Sequence, residues 1–475
     1  MYQLSALDNL MVDGESPALP LHMSAVMVYD TGGKRGADAL ARIFRERFES
    51  VIASHFPILG CKVERLPLHL DRAYWVEDQD FSLGRHFKHV ALPKPRDWPA
   101  LYRLIGSFHA QPLDTRWPLW ECMLVEGLDK LEGIPPGATA LLLKIHHAVL
   151  DGKGALRLAN SFHNLGAEED APLLIERDAT APPHQADFQP PSMLEKYGRA
   201  WWHSVERPVD LGATLLKLVP QLWPTRHQGP KSAACTAPRS IFNQPVSAER
   251  VVGHIAMDFP ALRRLEKRHG CTINDLALSV IAGALRGYLA QRDALPEEDL
   301  VALMPIDIRD HGDEGSLGNH VSVARVSLGT GTGNVLQRLQ KIHAATSRGK
   351  REHGRGSSNT LLELVDEVHP SVLIWLGDWL VASGHLKDLP QPANTVVTNV
   401  PGQREELYIG KARLVDYLGL GPLAPNVGLF HTVSSTAEKV NISFLSTPEL
   451  VGDGHEYQQC LATSWEKLCR ARKRR

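Results

Sequence analysis

The sequence has no CxxC pair. Its six cysteines, Cys61, Cys122, Cys235, Cys271, Cys460 and Cys469, are mostly far apart. That spacing argues against a structural zinc site or a disulfide scaffold and points to a reducing, cytoplasmic setting with no bound metal. An uninterrupted apolar run of about eighteen residues is also lacking, so no membrane-spanning helix is expected, while peripheral contact with a membrane stays open. The opening Met1-Tyr2-Gln3-Leu4-Ser5 has neither the basic nor the apolar stretch of a secretory signal. No short-period repeat occurs. An excess of one charge is missing too: 52 Lys and Arg stand against 54 Asp and Glu. There is no global basic field, and a nucleic-acid partner held by phosphate contacts is not expected.

What is present is an ordinary globular composition, 43% hydrophobic and 22% charged over 475 residues. That length can bury sizeable cores in two or three domains. Composition changes between Glu168 and Pro191, where prolines at 172, 182, 183, 190 and 191 favour an extended linker. Helical spacing follows over about Met193 to Glu206 and again over about Val209 to Val219. A Pro-, Gly- and Ser-rich loop then runs from Pro224 to Pro245. The chain divides into residues 1–170, a linker with crossing helices at 171–245, and residues 246–475. Both halves alternate strand-like and helix-like runs, which predicts a mixed α/β fold. Strands are expected at Ala138–Ile145, Val301–Ile306, His320–Leu328, Asn394–Val400 and Val440–Leu445. A helix is expected over Ala261–His269 with Gly270 as its C-cap, and another from Thr272, as N-cap, to about Gln291.

The chemistry concentrates after the apolar strand at 138–145, in His146-His147-Ala148-Val149-Leu150-Asp151-Gly152. Ala155, Leu156, Ala159 and Phe162 then recur at helical spacing. The histidines therefore sit in a turn between a strand and a helix, a rigid place for a catalytic group. An alcohol is a poor nucleophile at neutral pH, and a base with a pKa near 7 removes its proton as it attacks a thioester. His147 is assigned that role. His146 is the weaker of the pair and orients the loop or the substrate. Asp151 fixes the ring directly or braces the turn through an arginine, and Gly152 is expected to adopt a backbone conformation that larger residues resist.

At this point the sequence resembles the HHxxxDG acyltransferases, which include chloramphenicol acetyltransferase, carnitine acyltransferases and peptide-synthetase condensation domains. Within that superfamily it is most similar to the bacterial wax ester synthase/diacylglycerol acyltransferase family, over nearly the whole chain. The resemblance rests on Leu4-Ser5-Ala6-Leu7-Asp8, Pro20-Leu21-His22-Met23, Pro112-Leu113-Asp114, Pro118-Leu119-Trp120-Glu121, Asn274-Asp275, Gly318-Asn319 and Asn399-Val400-Pro401-Gly402. It implies two chloramphenicol-acetyltransferase-like domains joined by a crossing linker, with the active site in a tunnel between them. It implies acyl-CoA as donor substrate, a long-chain alcohol or diacylglycerol as acceptor, and no cofactor. By match, His147 is the base and Asp151 a structural partner. Rival readings are a condensation-type enzyme fed by a carrier-protein thioester and a non-catalytic lipid-binding protein.

Other positions carry two readings each. Pro118, Leu119 and Trp120 shape a tunnel wall or pack the core, with packing preferred for Trp120. Asn274 and Asp275 cap a helix, or Asn274 donates toward the oxyanion or positions the base. Arg309 pairs with Asp151 or is solvated. The apolar stretch from Leu361 to Leu380 forms a core helix, a tunnel lining, or both. Trp201 and Trp202 are buried between the halves or, as the less favoured reading, meet a membrane or lipid-droplet surface; the basic tail Arg470 to Arg475 is a solvated end or, again less favoured, touches anionic lipid.

Overall fold

A computed structural model of the chain describes residues 2–168, 173–174, 192–204, 236–307, 321–353, 368, 372, 375, 379, 383 and 391–471. Arg309, Gly318, Asn319, most of 361–380 and the tail at 472–475 lie outside the described residues.

The run Thr139–His146 is buried at every position, the pattern of a strand covered on both faces. It is a central strand of a six-stranded sheet ordered Tyr408–Ile409, Ala412–Leu420, His22–Asp30, Thr139–His146, Trp120–Glu126 and Phe87–Ala91. The helix Lys34–Ser54 turns Ala37, Leu40, Phe44, Phe48 and Val51 inward at intervals of three and four. Leu40, Phe44, Phe48 and Val51 join Met27, Tyr29, Leu141, Leu143, Ile145, Leu158 and Phe162 in the core on one face of this sheet.

Two strands of that sheet come from the second half. Ala412–Leu420 pairs antiparallel with His22–Asp30, placing Tyr417 opposite Met27 and Leu420 opposite Ser24. A strand exchange therefore crosses the boundaries read at residues 170 and 246. The second half builds its own six-stranded sheet, ordered Val321–Ser327, Val301–Asp307, Thr395–Val400, Phe430–Ser435, Lys439–Ser446 and Val251–Asp258. Its core gathers around the helix Ile273–Ala290. On the other face of the first sheet, Val26, Leu101, Ile105, Phe108 and Leu142 share a core with Val252, Leu418, Phe430 and Leu445. The halves meet through a common hydrophobic interior, which fixes their relative placement more firmly than a polar linker does.

The local signals behave as their chemistry dictates. Gly270 is left-handed at φ 65 and caps Phe259–His269. Thr272 and Asp275 form a reciprocal capping box at the start of Ile273–Ala290. Trp201 and Trp202, favoured for burial between the halves, are instead exposed at 67% and 59%. The reason lies on the opposite face of the helical residues 193–204. There Lys196 pairs with Glu64 at 2.7 Å, His203 meets Asp71 at 2.8 Å, and Ala200 packs with Leu66, Tyr74 and Val76. With that face docked, Leu194, Tyr197, Trp201 and Trp202 point outward. Among the described residues no helix is long and apolar enough to cross a membrane.

Candidate active site

His146 ends the central strand and His147 begins the turn that leads into the helix Gly152–Ser161. Main-chain carbonyls hold both histidines. The His146 N–H donates to Leu119 O at 3.0 Å, and the His147 N–H donates to Leu21 O at 2.9 Å. Asp151 is the N-cap of the helix, accepting the Gly154 N–H at 2.7 Å. It anchors the turn as expected of an N-cap aspartate, which also suits the helix dipole. Gly152, contrary to expectation, does not use the conformational freedom of glycine. Its φ is not positive, and a Cβ there meets nothing within 4 Å among the described residues. The space-limited glycine is Gly154, where a Cβ would lie 3.1 Å from the Leu150 side chain and 3.2 Å from Asp151 Oδ1.

The two histidines occupy different environments. His147 is half-buried. His146 is buried, and its Nδ1 accepts the Ala148 N–H at 3.1 Å, which leaves the ring proton on Nε2. Burial pushes the His146 imidazole down to about 4, so it is neutral at pH 7. Its Nε2 faces Glu15 at 3.9 Å, and Glu15 lies 3.8 Å from His22 Nδ1. His22 Nε2 donates to the His109 carbonyl, and His109 Nδ1 meets Ser24 Oγ at 2.8 Å. Lys144, buried on the same strand, donates to Phe108 O at 3.0 Å and Gln111 O at 2.8 Å and sits 3.3 Å from Glu121. This polar cluster beneath the turn is the part that reading the sequence missed. Its one visible signal is Lys144 within a mostly apolar strand.

Pro118, Leu119 and Trp120 form a structural device. The Trp120 N–H donates to Pro118 O at 2.8 Å, closing a three-residue turn centred on Leu119, whose carbonyl is the one that receives His146. Trp120 is buried, donates Nε1–H to Leu59 O at 2.8 Å, and stacks on His86 with ring centroids 4.4 Å apart. Packing, the preferred reading for Trp120, thus holds the His146–His147 turn in place.

Asn274 and Asp275 stand in the second half. Asp275 is buried, accepts the Thr272 N–H at 2.9 Å, and binds His343 Nδ1 at 2.8 Å and Thr346 Oγ1 at 2.7 Å. It ties the helix Val335–His353 to the helix Ile273–Ala290. Asn274 Oδ1 is buried without a hydrogen-bond partner among the described residues. Burial raises the Asp275 carboxyl, and its hydrogen bonds from Thr272, His343 and Thr346 outweigh burial, so the net shift is downward. A carboxyl held below its unfolded value of 3.8 stabilises the fold at higher pH, and that contribution disappears as pH falls through the folded value. We predict that Asp275→Asn lowers stability at pH 7 by roughly 1.5–3 kcal/mol, the range for hydrogen bonds to charged groups. The deficit should shrink below pH 4. Denaturant melts at pH 7 and pH 3.5 check this, and an equal deficit at both would sink the linkage.

The halves converge beside the motif. The helix Gly152–Ser161 packs on the strand Thr395–Val400. A cavity open to solvent is lined by Met27, Leu156, Ala159 and His163 of the first half and by Leu414 and Tyr417 of the crossing strand. By the 1.5 Å rise of a helix, Leu156 to Asn160 lie about 7 to 14 Å along the axis from Asp151. Gly402 also lines the cavity, and a Cβ there would fall 1.8 Å from Ser435 O. Only glycine allows that approach, which explains the Pro401-Gly402 step.

The sequence model of the wax ester synthase/diacylglycerol acyltransferase catalytic domain matches residues 4–277, and that of the WS/DGAT C-terminal domain matches residues 317–468. The chain belongs to this family. It is 30% identical to a Mycobacterium tuberculosis protein assigned by name as a diacylglycerol O-acyltransferase, over 95% of this chain and 87% of the relative. A second M. tuberculosis relative, named for the same activity as Tgs4, is 29% identical over 98% of this chain and 96% of its own. The solved wax ester synthase/diacylglycerol acyltransferase of Marinobacter aquaeolei VT8 has the same fold, with a TM-score of 0.68, 23% identity and 98% of each chain covered. The starter condensation domain of rhizomide synthetase shares that fold at a TM-score of 0.52 and 17% identity, covering 98% of this chain and 94% of its own. This member of the WS/DGAT family is an acyltransferase with the two-domain architecture expected from its sequence.

Proposed function

We propose that this acyltransferase moves a long-chain acyl group from acyl-CoA to a long-chain alcohol or diacylglycerol, with His147 as general base. The observation that carries this reading is the placement of His147. It is the half-buried histidine of the pair, held at a strand end just before the helix Gly152–Ser161, whose Leu156, Ala159 and Asn160 line the cavity. His147 takes the hydroxyl proton as the oxygen attacks the thioester carbonyl. The tetrahedral intermediate collapses, the C–S bond breaks, and the proton passes to the departing CoA thiolate. The sequence needs no covalent acyl-enzyme, metal or cofactor. Incubation with labelled palmitoyl-CoA and either hexadecanol or dioleoylglycerol, followed by lipid chromatography, tests it. Labelled wax ester or triacylglycerol is the expected product. Transfer from a carrier-protein thioester alone, or no transfer at all, would overturn it.

The cavity suits a hydrocarbon chain. Met27, Leu156, Ala159 and Leu414 give it apolar walls, while Glu405, Glu406 and Glu438 at its rim outnumber Arg413 and repel the phosphates of CoA. Ala159→Phe is therefore expected to shift preference toward shorter chains, read as the ratio of product from C10 and C16 substrates. An unchanged ratio would remove the cavity from the chain-binding site. The outward stripe of Leu194, Tyr197, Trp201 and Trp202, with exposed Arg199 beside it, supports work at a membrane or lipid-droplet surface. Trp201→Ala with Trp202→Ala should weaken co-flotation with phosphatidylcholine/phosphatidylglycerol vesicles, and equal flotation would show that the stripe serves another purpose.

A further inference from the structure

We propose that Arg250, just before the strand Val251–Asp258 of the second half, is a positioning residue that sets the placement of His147 through residues 14–21. The inference rests on His147 being the base and adds a device that keeps the base in register with the other half of the protein.

The first link is at the turn. The His147 N–H donates to Leu21 O at 2.9 Å, so the path of residue 21 sets the height of the catalytic turn. The loop ending at Leu21 is short and closed on itself. The Gly14 N–H donates to Leu10 O at 2.8 Å, and Ser16 and Leu19 exchange main-chain bonds at 2.9 and 3.3 Å. The Leu21 N–H donates to Glu15 Oε1 at 3.0 Å, and the Glu15 carboxylate faces His22 and His146. A displacement of this loop moves the carbonyl that holds His147 and the carboxylate beneath His146 together.

The second link crosses the molecule. Arg250 Nη2 donates to Ala18 O at 2.6 Å, at the tip of that loop, over a separation of 232 residues. Its Nη1 donates to Ser247 O at 2.5 Å and Glu249 O at 3.0 Å, so the planar fork is tied to its own chain on one side and to the loop on the other. Both Nη atoms are spent on main-chain carbonyls, while the buried Nε has no hydrogen-bond partner among the described residues. Desolvating a charge is expensive, so the bonds it does make fix a geometry that an apolar side chain of the same size would leave loose.

The third link fixes Arg250 itself. The helix Trp98–Ala110 approaches the same residue at Gly106, where a Cβ would lie 2.4 Å from Arg250 O. That contact is backbone to backbone and cannot yield by a rotamer change. Arg250 is therefore held by the first half at its carbonyl and holds the first half at its side chain. It transmits the relative placement of the halves to the turn that carries His147.

The test uses the full-length protein and two variants, Arg250→Met and Arg250→Lys. Misplacing a catalytic group by about 1 Å costs on the order of 100-fold in rate. Arg250→Met should lower kcat by roughly that factor with KM for palmitoyl-CoA unchanged. Arg250→Lys keeps one donor and should recover part of the loss. Hydrogen exchange should quicken at the amides of Leu21 and His147 and stay at the wild-type rate through Val251–Asp258. If Arg250→Met does not fold, Arg250→Lys carries the same two readouts. Wild-type kcat and wild-type exchange at Leu21 and His147 in a folded variant would overturn the proposal. Faster exchange throughout Val251–Asp258 would overturn it as well, because it marks a general scaffold role. His147→Ala, run in parallel, separates the two readings. An active His147→Ala protein overturns the base assignment, whereas an inactive one beside a wild-type-like Arg250→Met protein overturns only the role of Arg250.

Discussion

His147→Ala is expected to lower turnover by a factor of about 100 to 10,000, the usual contribution of a general base. The fold should survive the change. The groups that hold the turn are main-chain atoms, chiefly the residue 147 N–H on Leu21 O, and alanine keeps them. The side chain is half-buried and leaves only a small cavity. His146→Ala should behave differently. Its neutral ring is buried against Glu15 and the Ala148 N–H, so its loss leaves an unsatisfied pocket and destabilises the turn. Transfer from labelled palmitoyl-CoA, measured beside a thermal melt, decides the matter. A folded His147→Ala protein with wild-type turnover would eliminate His147 as the base.

Trp120→Ala is expected to be the most destabilising single change at the site, by about 3–5 kcal/mol, the range for truncating a buried large aromatic. Its ring is buried against Phe48 at 4.8 Å and His86 at 4.4 Å between centroids, and its indole N–H is satisfied by Leu59 O. A marginally stable protein has roughly 5–15 kcal/mol to lose in total. Activity should fall further than unfolding explains, because the turn centred on Leu119 loses its side-chain anchor and the carbonyl that accepts the His146 N–H is free to shift. Trp120→Phe fills most of the volume and should recover most of the stability. A Trp120→Ala protein with an unchanged denaturation midpoint would show that this packing is not what supports the turn.

The parts of the molecule that were legible in the sequence are those fixed by neighbours a few residues apart. The strand before the motif announced itself as an apolar run. Asp151 stands three residues before the N–H it caps, Gly270 one residue past the helix it ends, and Thr272 three residues from Asp275. The strands predicted at 301–306, 394–400 and 440–445 agree with Val301–Asp307, Thr395–Val400 and Lys439–Ser446 to within a residue or so. Side-chain chemistry and periodicity are local, so a single sequence displays them.

The support of the site was not legible, because it is built from carbonyls that every residue has. Nothing about Leu21 or Leu119 marks its oxygen as the acceptor for the His146–His147 turn, and nothing about Ala18 marks it as the target of a buried arginine 232 residues away. Gly152 looked like the special glycine of the motif, yet the crowding falls on Gly154, since it depends on where Leu150 packs. Trp201 and Trp202 looked like interior residues until the other face of their helix docked through Lys196 and His203. Neighbouring residues set these elements and their caps, and the motif marks the residues proposed for acyl transfer. Long-range packing set the rest: Ala412–Leu420 completes the sheet of the first half, Glu15, Leu21 and Leu119 meet around two histidines, and Arg250 reaches Ala18 O. Those contacts join segments separated by up to several hundred residues, and only the closed fold brings their backbones into register.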